Sequence, residues 1–235
     1  MAKSQNSTQS LPGQNLGLTS QTMATAPAAP AASGGSKLSE DTMKQSLSAC
    51  GYSGAPKSDF VTELINQINK QSWDSNQTSM FLAQIFHESQ GLTQLQEQAC
   101  VSTPCTQYDG SNGSSVTGVP GQHYFGRGYM QLTWPSNYNA ASNALYKNNS
   151  LLQNPGSVAS DKSIAAATSI WFWNTNVMTS KAPLTQFGLT TKAINGSIEC
   201  GKGQQPAPVN RWQNYQKIAK VLGVTNLASE SGCYN

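Results

Sequence analysis

Two segments with helical spacing in the first half of the chain restrict the fold more than any other feature. Apolar residues recur every three or four positions in residues 60–68, and again from Phe81 to the end of the next segment. This is the spacing of one helix face. The second face ends in a carboxylate, Glu88, three residues before the helix breaker Gly91. The pattern predicts a charge at a helix end, where a cleft can open.

The rest of the chain repeats the helical pattern and offers no alternative to it. Alternation of apolar and polar residues never exceeds a few positions, and residues 108–121 are rich in Gly, Ser and Asn, which is typical of a loop. A mainly α fold is therefore predicted. Further helices are expected at residues 138–146, 161–174, 185–194 and 208–222, with Ser58 or Asp59 capping the first helix and Asp161 capping a later one.

The N-terminal segment differs from the remainder in composition. Residues 1–36 contain mostly Ser, Gln and Thr, followed by Ala and Pro, with too few large apolar residues to form a core. Pro27 and Pro30 argue against a helix there. We expect a flexible tether at residues 1–36 and one substantial domain at residues 37–235.

Composition excludes several classes of function. Charged residues make up 11% of the chain, well below the usual value of about 25%, and the net charge is only +3 with two arginines. Nucleic-acid binding requires clustered Lys and Arg, so it is not expected. No apolar run approaches the ~18 residues of a membrane span. An extracellular, monomeric protein with an uncharged polar ligand fits best.

The cysteines indicate an oxidising compartment. None of the five has the CxxC spacing of a zinc or thioredoxin site, so disulfides are the preferred use. Cys100 and Cys105 are close enough to close a short loop, and Cys200 and Cys233 could tie down the C-terminal tail. Cys50 is left over, either free or paired with another chain. We expect a secreted protein whose signal peptide is absent from this chain.

Two glutamates, Glu88 and Glu97, flank Gly91 in a chain that has only eleven acidic residues. A glycosidase needs a carboxylic acid and a carboxylate on opposite sides of the scissile bond, about 6.5–9.5 Å apart if it inverts. A helix end followed by a turn and an extended segment could supply that pair. The alternative is a surface charge at a helix end and an ordinary loop residue.

Other catalytic motifs are not matched. A zinc protease motif beginning at His87 would need histidine at position 91, where the chain has Gly91. No GxSxG sequence is present, and a single GRG is too weak to indicate a phosphate loop. No metal and no cofactor are expected.

A second group of candidates comprises polar or aromatic residues with apolar neighbours. An arginine near a buried carboxylate changes its pKa, and aromatic rings stack on sugars. Each residue alone fits a structural role equally well, and the helix around Trp171 is expected to be core. The polar candidates are Gln131, Thr133, Asn195, Glu199 and Arg211, and the aromatic candidates are Tyr124 and Trp134.

Several motifs in order resemble the glycoside hydrolase family 19 chitinases. They are FLAQIFHESQGL, YFGRGYMQLTW, LLQNP followed by VASD, IWFW, and INGSIEC with Arg211 downstream. The match extends from about Phe81 to Cys233. The resemblance implies a lysozyme-like, two-lobed helical domain around a sugar cleft.

The resemblance also implies roles for individual residues. Glu88 corresponds to the general acid, Glu97, nine residues later, to the general base, and Thr133 to the residue that holds the attacking water. Cys200–Cys233 resembles the C-terminal disulfide of the family. Substrate-binding roles fall on Gln131, Asn195 and Asn137, and tuning of the acid falls on Glu199 and Arg211. Tyr124 and Trp134 stay candidates for sugar contact as aromatic rings, independently of the resemblance.

The expected activity is endo-hydrolysis of β-1,4 bonds in chitin or chito-oligosaccharides, with inversion. Two alternatives remain open at this stage. One is a muramidase that cleaves peptidoglycan with the same fold and acid. The other is a chitin-binding relative without catalysis, against which the retention of both glutamates and Thr133 argues.

Overall fold

The computed structural model describes residues 37–103 and 105–234, and the predicted tether at 1–36 lies outside these residues. Within the described ranges the chain is mainly helical, as predicted, and its only β structure consists of isolated bridges. The helices are α1 (Glu40–Cys50), α2 (Ser58–Ile68), α3 (Ser75–Glu88), α4 (Pro135–Tyr146), α5 (Ser150–Gln153), α6 (Ser157–Ser160), α7 (Lys162–Phe172), α8 (Gly188–Glu199) and α9 (Pro206–Val221).

Helix α3 lies at the centre of the core. Every side chain from Met80 to Phe86 is fully buried, so the helix is covered on all sides and not only on the predicted face. It packs along α9 and against α8, while α1 covers α9 and α2 packs on α7. A core helix of this kind fixes the position of Glu88, its last residue, relative to the helices around it.

The predicted helix boundaries are correct in some places and wrong in others. Asp161 caps α7 by accepting from Ser163 N and Ile164 N, as expected. The predicted cap of α2 is wrong, because Lys57 occupies the N-cap without a side-chain bond. In α8 the regular helix stops at the predicted end, Ile194, because Asn195 has a non-helical backbone (φ −143°, ψ 29°), and a second helical stretch follows this kink up to Glu199.

The aromatic helix end after α7 is core, as predicted. Phe172 and Trp173 are fully buried, and Trp173 packs edge-on against Phe81 of α3 at 5.5 Å between ring centroids. Trp171 is half-buried. These rings anchor α7 to the central helix.

The GRG segment forms a tight backbone turn. Arg127 forms antiparallel bridges with Gln96 and Leu132. Gly128 has φ 72°, and a Cβ at Gly126 would lie 2.8 Å from the Gln131 Oε1 atom. The glycines therefore permit a sharp bend beside the segment that carries Glu97.

Four cysteines form two disulfides, Cys100–Cys105 and Cys200–Cys233. Cys50 is a free, half-buried thiol whose pKa is raised to about 11 because burial disfavours the thiolate. None of the helices in the described ranges has the length and apolar character of a membrane span.

Candidate active site

Glu88 is held by a cation from another helix. Its side chain has no solvent exposure, and Arg211 of α9 donates from NH2 to its Oε1 at 2.5 Å. Because α3 ends at Glu88 and α9 packs along α3, the two side chains meet although they are 123 residues apart. The buried charge is therefore paired, as a buried carboxylate requires.

The Arg211 guanidinium connects three helices. It is fully buried, and it donates from Nε and NH2 to the two oxygens of Glu199 on α8, at 2.9 and 2.7 Å. Its NH1 donates to Gln84 Oε1 on α3 at 2.8 Å. Asn195 adds a bond from Nδ2 to Glu199 Oε1 at 2.6 Å. The structure thus brings Glu88, Glu199, Arg211 and Asn195 into one network.

Electrostatics in this network favours the ionised carboxylates. Burial opposes ionisation of Glu88, but nearby positive charge, of which the Arg211 guanidinium contributes most, holds the pKa of Glu88 below its usual value. Glu199 is likewise buried, and its bonds to Arg211 lower its pKa. Burial and then Arg211 lower the pKa of His87, so this ring is neutral at pH 7. The Glu88, Glu199 and Arg211 side chains together carry a net charge of −1.

Glu97 is positioned by a different part of the chain. It precedes the short 3-10 turn Gln98–Cys100, which the Cys100–Cys105 disulfide ties to the following loop. Tyr108 OH donates to Glu97 Oε1 at 3.2 Å, and Gly126 N donates to Oε2 at 3.3 Å. The residue is only 7% exposed. Its carboxylate is therefore oriented by two donors.

The turn between the two glutamates depends on Gly91. Its φ is 67°, and a Cβ at this position would lie 2.6 Å from the Tyr52 ring. A larger residue would be strained and would also collide with that ring. Gly91 thus allows the chain to leave α3 sharply and to place Glu97 on a separate element from Glu88.

Thr133 lies in the turn that follows the GRG segment. Its Oγ1 donates to the Gln131 backbone oxygen at 2.8 Å, so towards a further group the hydroxyl oxygen acts as an acceptor. Gln131 donates from Nε2 to Gly128 O at 3.0 Å, and Asn137 donates from Nδ2 to Thr133 O at 2.8 Å. All three predicted site residues therefore support the same turn.

Asn195 carries an acceptor without a partner. Its Nδ2 is committed to Glu199, whereas Oδ1 is buried and has no hydrogen bond within the described structure. A buried polar atom left unpaired is costly unless another group satisfies it. The non-helical backbone at Asn195 aims this amide and makes it the clearest candidate for a contact with a ligand donor.

The two predicted aromatic contacts have different environments. Tyr124 is fully buried, and its hydroxyl accepts from Val119 N at 2.9 Å and donates to Leu152 O at 2.6 Å. The prediction that Tyr124 contacts sugar is therefore wrong, because this ring is part of the core. Trp134 is half-buried, packs edge-on to Tyr108 at 5.2 Å, and stays a prediction.

Three residues of the site are not among the sequence candidates. Gln84 precedes Glu88 by four positions, and this helical spacing was the signal that could have found it. Tyr108 lies in a loop without periodicity. Asn210, whose Oδ1 accepts from His87 Nδ1 at 2.8 Å, lies far along the chain. For these two the sequence contains no local signal.

Similar sequences indicate the family to which the chain is related. Residues 69–183 match the sequence profile of the family described as Chitinase class I. An endochitinase of Arabidopsis thaliana is 39% identical over 147 residues, which is 61% of this chain and 47% of the relative. Chitinase 5 of Oryza sativa is 32% identical over 169 residues, 72% of this chain and 52% of the relative. The chain spans about half the length of these curated relatives.

Solved structures cover nearly the whole described chain. Chitinase C from Streptomyces griseus aligns with a TM-score of 0.59 at 29% identity, covering 82% of this chain and 88% of that one. A bacterial family 19 chitinase aligns with a TM-score of 0.56 at 32% identity, covering 83% and 91%. The predicted lysozyme-like helical fold class is confirmed by these neighbours. On the strength of both alignments, this chain belongs to glycoside hydrolase family 19, the chitinases.

Proposed function

We propose that the protein is an endo-acting chitinase, which hydrolyses β-1,4 bonds between N-acetylglucosamine units with inversion of configuration. One observation carries the proposal: two buried carboxylates, Glu88 and Glu97, are held by independent sets of donors on separate elements. An inverting glycosidase requires this division, because acid and base act on opposite faces of the sugar. The relatives are named as endochitinases, which supports the endo mode.

Glu88 would act as the general acid, and Arg211 and Glu199 would set its protonation. In the structure Arg211 favours the carboxylate form of Glu88. Glu199 takes two of the hydrogen bonds of the same guanidinium and offsets its charge. Glu199 thereby weakens the stabilisation of the Glu88 carboxylate by Arg211, and a less stabilised carboxylate binds a proton more readily. Glu88 would then bind a proton and deliver it to the leaving oxygen.

Glu97 would act as the general base. Tyr108 and Gly126 each donate to one of its oxygens and so hold the carboxylate in a fixed orientation. The carboxylate would remove one proton from a water whose other hydrogen is accepted by Thr133 Oγ1. That water would attack the anomeric carbon opposite the leaving group, so the product is the α-anomer.

The acetamido group of the substrate supplies the donor that Asn195 lacks. An N-acetyl N–H would satisfy the unpaired Asn195 Oδ1, and this contact would place the sugar next to the Glu199–Arg211 network. Gln131 and Asn137 would contribute through the turn that they support, and Trp134 would contribute an apolar ring edge. Chitin and its oligosaccharides are therefore the proposed substrates, bound by a monomer.

We also propose that residues 37–235 form the catalytic domain and that the protein is secreted. Two disulfides are present, and such bonds persist mainly in oxidising compartments.

The direct test is incubation with chitohexaose, with product length and anomeric form followed by NMR, and with bacterial peptidoglycan digested in parallel. We expect shorter oligosaccharides that appear first as α-anomers, and no release from peptidoglycan. Products that appear first as β-anomers would contradict inversion. Cleavage of peptidoglycan alone would identify a muramidase, and binding without products would contradict the catalytic roles.

Replacing Glu199 tests the proposed tuning of the acid. In Glu199→Gln, Arg211 loses one of its two carboxylates, so its charge acts on Glu88 without compensation and lowers the Glu88 pKa further. The general acid must be protonated, and therefore the alkaline limb of the kcat–pH profile should move to lower pH, by about one pH unit. Profiles of wild type and variant on chitohexaose measure this directly.

Glu63→Gln is the matched control, since the hydrogen bonds that Glu63 accepts within the described residues come from Gln67 of α2 and Ser163 of α7, away from the network. Its profile should overlay that of wild type. An alkaline limb that stays in place or moves upward in Glu199→Gln would rule out this tuning.

A further inference from the structure

We infer that Gln84 is a positioning residue that holds the Arg211 guanidinium in the rotation that faces Glu88. The inference rests on the proposed function for the role of Glu88. Gln84 lies one helical turn before Glu88 on α3, so its amide and the acid face the same neighbours on α8 and α9.

The Gln84 amide uses both of its ends. Its side chain is fully buried, and Nε2 donates to Thr190 Oγ1 at 2.7 Å and to Thr191 Oγ1 at 3.0 Å, both on α8. Its Oε1 accepts from Arg211 NH1 on α9 at 2.8 Å. A single side chain of α3 is therefore bonded to both helices that carry the tuning residues.

The direction of these bonds is fixed by Thr190. The Thr190 hydroxyl donates its hydrogen to Phe187 O at 2.7 Å, so towards Gln84 its oxygen can only accept. If the Gln84 amide were rotated by 180°, its oxygen would face the lone pair of the Thr190 hydroxyl. Its amino group would then face the N–H donors on Arg211 NH1. Only the observed orientation satisfies both contacts, and it presents an acceptor to Arg211.

Gln84 Oε1 supplies the remaining hydrogen-bond partner of the rigid Arg211 guanidinium. A guanidinium is planar, with its donors in a fixed arrangement. Its Nε and NH2 are bonded to Glu199, and NH2 is also bonded to Glu88. Gln84 occupies NH1. With every nitrogen paired, Arg211 cannot turn without losing a bond, and NH2 stays directed at Glu88.

The residue at this position also needs to be neutral. The titratable groups around Glu88 on the described elements are Arg211 of α9, Glu199 of α8 and the neighbouring His87, whose ring is neutral at pH 7. A carboxylate at position 84 would add a negative charge that competes for Arg211. An apolar side chain would leave the NH1 donors buried and unpaired. The carboxamide of Gln84 adds no charge and still pairs the NH1 donors of Arg211.

Two substitutions test the inference. In Gln84→Met, which is neutral and similar in length, we expect kcat on chitohexaose to fall by about 10²-fold with little change in KM, because Arg211 no longer holds the acid in place. In Gln84→Glu we expect the titration midpoint of Glu88 to rise by about one pH unit or more. The control is Ser79→Ala on the same helix, because Ser79 is fully buried and, among the described residues, its hydroxyl bonds to Ser75 O alone.

The titration midpoint of Glu88 can be measured without enzymatic activity. The chain has six glutamates, so ¹³C-carboxyl NMR of glutamate-labelled protein can be assigned for Glu88 by comparison with Glu88→Gln. The chain has two arginines, so the Nε–H signal of Arg211 can also be followed, and its exchange with water should be faster in Gln84→Met. If wild type fails to cleave chitin, the proposed function is wrong, and these NMR results still decide the role of Gln84.

A purely structural role predicts a different pattern. It would lower the melting temperature of the variants and leave kcat per folded molecule, the Glu88 midpoint and the Arg211 exchange rate as in wild type. Folded Gln84→Met with unchanged Arg211 exchange and, in an active enzyme, unchanged kcat would overturn the inference. An unmoved Glu88 midpoint in folded Gln84→Glu would do the same.

Discussion

Glu88→Gln is expected to lower kcat on chitohexaose by about 10²- to 10⁴-fold, the range that general acid catalysis usually contributes. The amide oxygen of glutamine can still accept the bond from Arg211 NH2, so the network and the fold are retained. It has no acidic proton for the leaving oxygen, however. Binding of chito-oligosaccharides, measured by calorimetry, should therefore persist while product formation, measured by chromatography, is lost.

The leaving group offers a sharper version of this experiment. An aryl glycoside of a chito-oligosaccharide departs as a stabilised phenolate and needs little protonation, so Glu88→Gln should lose much less rate on it than on chitohexaose. Glu63→Gln should resemble wild type on both substrates. A near-normal rate on chitohexaose would remove Glu88 from the acid role. Equal losses on both substrates would indicate a general disturbance of the site.

The central helix illustrates how far helical spacing can be trusted. The pattern from Phe81 to Glu88 correctly predicts a helix and puts the carboxylate at its end. It does not predict that Ser79, Leu82 and Ala83, which lie off this face, are as buried as the residues on it. Burial on every side depends on α8 and α9, which come more than a hundred residues later. The spacing of apolar residues reports on one helix, whereas these contacts involve α3, α8 and α9 together.

Helix α1 was missed for a related reason. Its buried residues are Met43, Ser46 and Leu47, too few to give a strong apolar face. Its start is set instead by a capping box, in which Ser39 and Thr42 bond to each other's backbone N–H groups. Local capping chemistry, rather than hydrophobic spacing, was the signal available here.

The site shows the same division between local and distant information. Motif resemblance marks Glu88, Glu97, Glu199 and Arg211, and the structure joins three of these in one network. The prediction at Tyr124 rested on residue type instead, and it failed because an aromatic residue in a loop carries no periodicity that reports burial. Only the bonds of its hydroxyl to Val119 and Leu152 reveal that it is part of the core.

Glu97→Ala separates the base from the acid. We expect kcat to fall by about 10²- to 10⁴-fold, because no group is left to take a proton from the attacking water. The shorter side chain also opens space beside Tyr108 and Gly126, where the carboxylate oxygens lie in the wild type. Added azide is an anion that needs no deprotonation, and in that space it should restore turnover and form an α-glycosyl azide, detected by NMR.

Glu97→Gln is the matched control for this rescue. Its amide keeps the volume of the side chain and an oxygen that can accept from Tyr108 or Gly126, so the fold is preserved while the space for azide is not. It should be as slow as Glu97→Ala and should not respond to azide. A β-glycosyl azide from Glu97→Ala would mean attack from the side of the leaving group, which is incompatible with a base opposite Glu88. Turnover by Glu97→Ala close to that of wild type would mean that another group activates the water.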